Sequence, residues 1–246
     1  MTQLKSPRRS ARSAFNTSAW AIAALLLFPT MSQGADQPNT LTSEEQAAGW
    51  KLLFDGSSLK GWEPVGKPGS PVKGWVAENG VLRLPAGGGG GDIVTSEQFE
   101  NFELSFDWKI APAANSGLKY NLVSPERGLG CEFQLLDDAQ HPDAKVGPKR
   151  QTAALYDVIP PAAEKKLHAP GEWNNSRLIV KDNAVEHWLN GAKALEYELG
   201  SEELRALIAK SKFKSEEAFG TKKKSPILLQ DHSDEVSFRN IKIRPL

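Results

Sequence analysis

One cysteine, Cys131, stands in 246 residues, so no internal disulfide can form and no cysteine follows the amino-terminal segment to carry a lipid. No basic stripe and no excess of positive charge is present, which argues against nucleic acid as the partner. The chain also lacks a Gly/Pro/Ser linker and an internal repeat, so a single domain is expected. It has no nucleophile-elbow motif and no zinc-protease helix. PAGGGGGD has the glycines of a phosphate loop but not its Gly-Lys-Ser/Thr ending, and it precedes the strand-like DIVTSEQF instead of a helix. Five glycines there suit a mobile loop, or a backbone that approaches a ligand closely.

What is present begins with a leader. Residues 1–34 carry Lys5, Arg8, Arg9 and Arg12 with no acidic residue, then the apolar run AWAIAALLLF, then small residues at Ser32 and Gly34. That order predicts a secretory signal peptide cleaved near Gly34, with an apolar region too short to serve as an anchor. Arg8-Arg9 raises twin-arginine export, but PRRSARSAF lacks bulky residues right after the pair, which favours the general secretory route. The expected location is periplasmic or secreted, with no membrane anchor after cleavage. Removing the leader leaves 26 basic against 30 acidic residues, a net charge of −4.

Period-two patterning dominates the rest. NFELSFDWKI puts Phe102, Leu104, Phe106, Trp108 and Ile110 on one face and Glu103, Ser105, Asp107 and Lys109 on the other. Leu118, Tyr120 and Leu122 oppose Lys119 and Asn121; Cys131, Phe133 and Leu135 oppose Glu132 and Gln134. RLIVKDNAVEHWLNG predicts a hairpin turning at Asp182-Asn183 and a second turn at Asn190-Gly191. The pattern predicts an all-β sandwich over residues 49–246, with 35–48 as a lead-in. Two helices are expected, one capped at Ser43 and one over SEELRALIAKSKF. Trp50, Trp62, Trp75 and Trp108 are expected in the core, and Lys222 to Lys224 in a solvated loop. In ILLQDHSDE, Leu228, Gln230 and His232 share one strand face and Asp231 the other, so one face turns polar partway along. LLDDAQHPDAK brings Asp137, Asp138, His141 and Asp143 close together, as metal ligands or as a loop with Asx turns. Calcium or manganese is the divalent cation that such oxygen-rich ligands would suit.

LLFDGSSLKGW, APAANSGLKYNL, EFQLLDD with HPDAK, AALYDVIPP, PGEWN, VEHWLNG and LLQDHSDEVSFRNIKI follow one another in an order that resembles the 3-keto-disaccharide hydrolase domain family. The resemblance implies a concanavalin-like jelly roll of two curved antiparallel sheets with a ligand cleft on the concave face. It also implies action on 3-keto glycosides, sugars oxidised at C3 by a separate dehydrogenase. A ketone at C3 acidifies the C2 proton, so a modest base can remove it and the C1 substituent can leave by elimination, with water adding back to complete a net hydrolysis. The enolate then needs positive charge, hydrogen-bond donors or a metal at the ketone oxygen. The expected catalytic groups are Glu132, His187, His232 and Lys119. Expected sugar contacts are Asn115, Asn121, Gln134, Tyr156, Gln230 and Arg239, with Trp173 or Trp188 stacking on a sugar face. A non-catalytic carbohydrate-binding module is the alternative, and a cell-envelope interaction domain a third, because fold alone does not decide function.

Overall fold

A computed structural model describes residues 37–246; the expected leader at 1–34 lies outside the described residues. The larger sheet has eight strands and is antiparallel throughout. Its order is β11 (Ala192–Glu198), β10 (Ala184–Leu189), β9 (Asn174–Lys181), β6 (Phe102–Ile110), β13 (Val236–Pro245), β4 (Val81–Leu84) and β3 (Val76–Glu78). The short β1 (Lys51–Leu52) pairs with the far end of β13. The smaller sheet has five strands, ordered β2 (Trp62–Pro64), β5 (Ile93–Thr95), β12 (Leu228–Leu229), β7 (Asn115–Ser124) and β8 (Leu129–Leu136). The two sheets make the expected jelly-roll β-sandwich.

Alternation decides which side of each strand is dry. Leu104, Phe106 and Trp108 from β6 meet Leu118, Tyr120, Phe133 and Leu135 from β7 and β8, all of them fully buried. Phe106 and Phe133 touch edge to face across the two sheets, with ring centroids 5.9 Å apart. Both predicted turns form, with Asp182 (φ 53°) and Asn190 (φ 47°) supplying the left-handed backbone that tight hairpins require.

Three short helices decorate the sandwich: α1 (Ser43–Ala47), α2 (Pro142–Val146) and α3 (Glu202–Ile208). The cap of α1 is Thr42 and not Ser43: its hydroxyl accepts from Glu45 N while the Glu45 carboxylate accepts from Thr42 N, a complete capping box one residue earlier than expected. Ser201 caps α3, which buries Leu204 and Ile208. Trp62, Trp75 and Trp108 lie in the core as expected. Trp50 does not; it is half-buried, with the Arg244 guanidinium 5.2 Å and the Lys242 ammonium 5.9 Å from its ring.

Candidate active site

The outer face of the smaller sheet carries the polar half of the alternation. On β7 and β8, Lys119 lies opposite Glu132 and Gly117 opposite Gln134. Strand β12 ends at Leu229, but the chain stays in register for one more residue, Gln230 N donating to Gly117 O at 2.9 Å. Gln230 therefore joins the same face, while His232 stands past the strand in an exposed loop. The sequence-based placement of His232 on a strand is corrected here.

These side chains floor a cleft of about 230 Å³. Asn115, Lys119, Glu132, Gln134, Gln230, His232 and Tyr156 all line it, and Arg127, Lys212 and Phe213 close its sides. A second cavity of about 380 Å³ shares Asn115, Tyr156 and His232 with it, so the two adjoin. Ligand clefts commonly measure about 300–1,000 Å³.

Glu132 is 5% exposed, and its carboxylate receives no hydrogen bond from another described residue. Burial raises its pKa, and the nearby Lys119 and Lys212 cations oppose that rise without cancelling it. Lys119 is anchored otherwise, donating to Gly128 O at 3.3 Å and standing 3.9 Å from the Asp92 carboxylate. The Lys212 chain is largely exposed, but its ammonium sits 4.1 Å from the centre of the Tyr156 ring. Desolvation at that end lowers the Lys212 pKa, with Glu132 opposing. Asp157 positions this corner, accepting from Lys212 N at 2.7 Å and from Arg150 Nε at 2.8 Å. Burial, together with the bond that Tyr156 donates to Asp143 at 2.7 Å, keeps its hydroxyl protonated well above neutral pH.

Three carboxamide oxygens, Asn115 Oδ1, Gln134 Oε1 and Gln230 Oε1, are buried in this floor with no protein partner. Buried polar atoms nearly always find a partner. Three such oxygens in one cleft leave its floor able to bond polar groups of a ligand. Gly117 completes the cradle, because a Cβ there would lie 2.4 Å from Glu132 Oε1.

His187 is elsewhere. It is fully buried between the sheets, stacked on Phe133 at 4.5 Å. Its Nδ1 meets Ala153 O at 3.0 Å, and a carbonyl only accepts, so Nδ1 carries the proton and Nε2 accepts from Tyr120 Oη at 2.5 Å. Burial pushes its pKa down to about 4. It is a neutral core histidine, and its strand context in VEHWLNG hid the fact that it faces inward. Trp173, Trp188 and Arg239 lie on the outer face of the other sheet: Arg239 covers Trp173 at 4.2 Å and Arg177 covers Trp188 at 5.4 Å. Asn121 departs because a bulge after Tyr120 (Asn121 φ 46°) breaks the alternation and buries its side chain.

The glycine run has found its close approach within the chain itself. Gly89 N and Gly91 N donate to Asp231 Oδ2 at 3.0 and 2.9 Å, while Asp231 N donates to Asp92 Oδ1 at 2.9 Å. Of the acidic group near residue 140, Asp137 accepts from the Ala139 and Gln140 amides as an Asx cap and from Ala113 N, while Asp138 accepts from Thr152 N and pairs with Lys165 at 2.8 Å. Sequence reasoning missed Lys212, which follows α3 in a segment with no strand pattern, and Asp92, hidden at the end of the glycine run.

Residues 49–244 match the 3-keto-alpha-glucoside-1,2-lyase-like domain. The chain belongs to this family. A 3-keto-disaccharide hydrolase of Bacteroides thetaiotaomicron is 34% identical over 244 residues, which cover 86% of this chain and 83% of that protein. The same family architecture appears in two crystal structures from Parabacteroides distasonis, both provisionally described as glycosyl hydrolases. One has a TM-score of 0.77 at 34% identity, covering 85% of this chain and 100% of that one. The other has a TM-score of 0.63 at 27% identity, covering 80% and 99%.

Proposed function

We propose that the protein cleaves the glycosidic C–O bond of 3-keto glycosides by C2 deprotonation and elimination. The observation that carries this is a buried, unpaired Glu132 facing two lysines over a floor of unpartnered carboxamides, in a chain of this family. Glu132 takes the C2 proton, and the released electron pair spreads onto the C3 oxygen. Lys119, fixed beside Asp92, supplies positive charge to that enolate. Collapse of the enolate forms the C1–C2 double bond and breaks C1–O, and Lys212 protonates the departing oxygen. Water adding across the double bond then gives net hydrolysis; without it the product is the unsaturated keto sugar. The Gln134 and Gln230 carboxamides hold the ring hydroxyls.

The substrate must come from a dehydrogenase that oxidises C3, a separate protein in this scheme. The basic, apolar and small-residue order of residues 1–34 supports export, which would place the reaction in the periplasm or outside the cell.

The test is product analysis of the protein incubated with a 3-keto disaccharide and with its unoxidised parent. Cleavage of the keto sugar alone is expected. Saturable binding of both sugars without turnover, where an active relative cleaves the keto form, would replace the proposal by a carbohydrate-binding module.

A further inference from the structure

Where the cleft opens into the second cavity, three potential ligands converge from separate parts of the chain. His141 caps α2, His232 follows β12, and Asp234 precedes β13; one ligand atom from each lies within 4.8 Å of the others. The two imidazole rings meet edge to face at 6.2 Å. Asp234 Oδ2 accepts from Asn115 N at 2.9 Å, which fixes the carboxylate and leaves its second oxygen available. The His232 ring makes no hydrogen bond to another described residue, and His141 makes one, accepting from Asp143 N through Nδ1 at 3.1 Å.

An independent observation points to a ligand at this place. Asn115 is 4% exposed, its Oδ1 has no partner, and it lines the same cavity as His141 and His232. A buried, unpaired carboxamide oxygen in a cavity with two imidazoles has the chemistry of a further metal ligand.

We propose that His141, His232 and Asp234 bind one divalent first-row transition ion at the mouth of the cleft, with Asn115 Oδ1 as a further ligand. Two imidazole nitrogens select such an ion over calcium, which takes oxygen ligands almost exclusively. Of the set expected around residue 140 only His141 takes part: Asp137 caps its loop, Asp138 is bonded to Thr152 N and Lys165, and Asp143 to Arg150 and Tyr156. Ligands about 2.1 Å from an ion stand roughly 3–3.5 Å from one another. The exposed His232 can turn to close the remaining gap. His141 must exchange its bond to Asp143 N for a bond to the ion, so binding is felt at the first turn of α2. On the keto-glycoside reading, the ion would stand where it could polarise a substrate oxygen; the site itself does not depend on that reading.

The experiment uses chelator-treated full chain. Mn²⁺ is titrated and followed by the loss of the free-ion electron paramagnetic resonance signal, Zn²⁺ and Ca²⁺ by calorimetry, and the Asp143 amide by nuclear magnetic resonance. One ion per chain is expected, with a shift of the Asp143 resonance. His141→Ala and Asp234→Asn should each weaken binding at least tenfold while the near-UV circular dichroism stays that of the parent. Absence of binding by either ion, binding indifferent to both substitutions, or binding of Ca²⁺ alone would each overturn the site. Keto-sugar turnover in the metal-free protein would remove the ion from the reaction and leave the functional proposal standing.

Discussion

At the scale of single residues, Glu132 bears two opposing demands. As the base it must be a carboxylate, yet its surroundings favour the protonated form. The kcat/KM profile on a 3-keto substrate should therefore rise with pH through a value above the ordinary 4.5 of a glutamate. Glu132→Gln should lower turnover by about 10²–10⁴-fold. The sign for stability is the reverse. A carboxyl whose pKa is raised on folding destabilises the fold as pH climbs from its unfolded value through its folded one. Glu132→Gln should therefore melt a few degrees higher at pH 8, on the scale that about 1 kcal/mol gives in a domain this size, with the gain vanishing near pH 4. An unchanged or lower melting temperature at pH 8 would mean that the carboxylate is better solvated than its 5% exposure implies.

At the scale of elements, the segment after β12 is aimed by the glycine loop. Asp231 is gripped by Gly89 and Gly91 amides, and its own amide is tied to Asp92, so Gln230 and His232 on either side are held at the cleft. Gly90 allows the grip: a Cβ there would lie 1.7 Å from the Lys73 carbonyl oxygen, a backbone atom that cannot swing away. Gly90→Ala should reduce kcat/KM at least tenfold, mainly through KM. Gly49→Ala, where a Cβ meets nothing within 4 Å and only the positive φ of 81° resists, should cost about 1 kcal/mol of stability and leave KM unchanged. Equal effects of the two on KM would mean that the loop does not position the cleft.

How much of this was legible in the sequence divides along physical lines. Strand alternation gave the inward face of β6, β7 and β8 and put Lys119, Glu132 and Gln134 together, because a period of two is a local property of the backbone. It failed where local geometry changed: the bulge that turned Asn121 inward, and the end of β12, after which His232 follows a loop. It was silent on which sheet faces which. His187 and Trp188 are neighbours on β10, one dry and one outward, and only the sandwich tells the core side from the outer side. Convergence over long separations, as with Lys212 beside Tyr156 or Asp234 beside Asn115, leaves no local signal at all.

For the whole molecule, the polar chain that crosses the interior ties stability to pH. Tyr197 and Tyr120 hydroxyls stand 2.7 Å apart, Tyr120 donates to His187, and His187 donates to Ala153 O, so the network links both sheets through a neutral imidazole. Because the folded pKa of His187 falls from 6.5 to about 4, the unfolded chain binds its proton more readily. Its contribution is complete above pH 6.5 and is lost as pH falls toward 4, up to about 3 kcal/mol at 1.36 kcal/mol per pH unit. Urea midpoints should therefore drop between pH 7 and pH 5, before most carboxylates titrate. His187→Phe should be less stable at pH 7, since it leaves the Ala153 carbonyl without a donor and the Tyr120 hydroxyl with Tyr197 as its one partner, but it should lose less between the two pH values. Its turnover per folded molecule should stay near that of the parent, because the ring reaches neither the cleft nor its mouth. An equal slope in parent and variant would place the acid sensitivity in other groups, and a collapse of turnover in well-folded variant would return His187 to the chemistry.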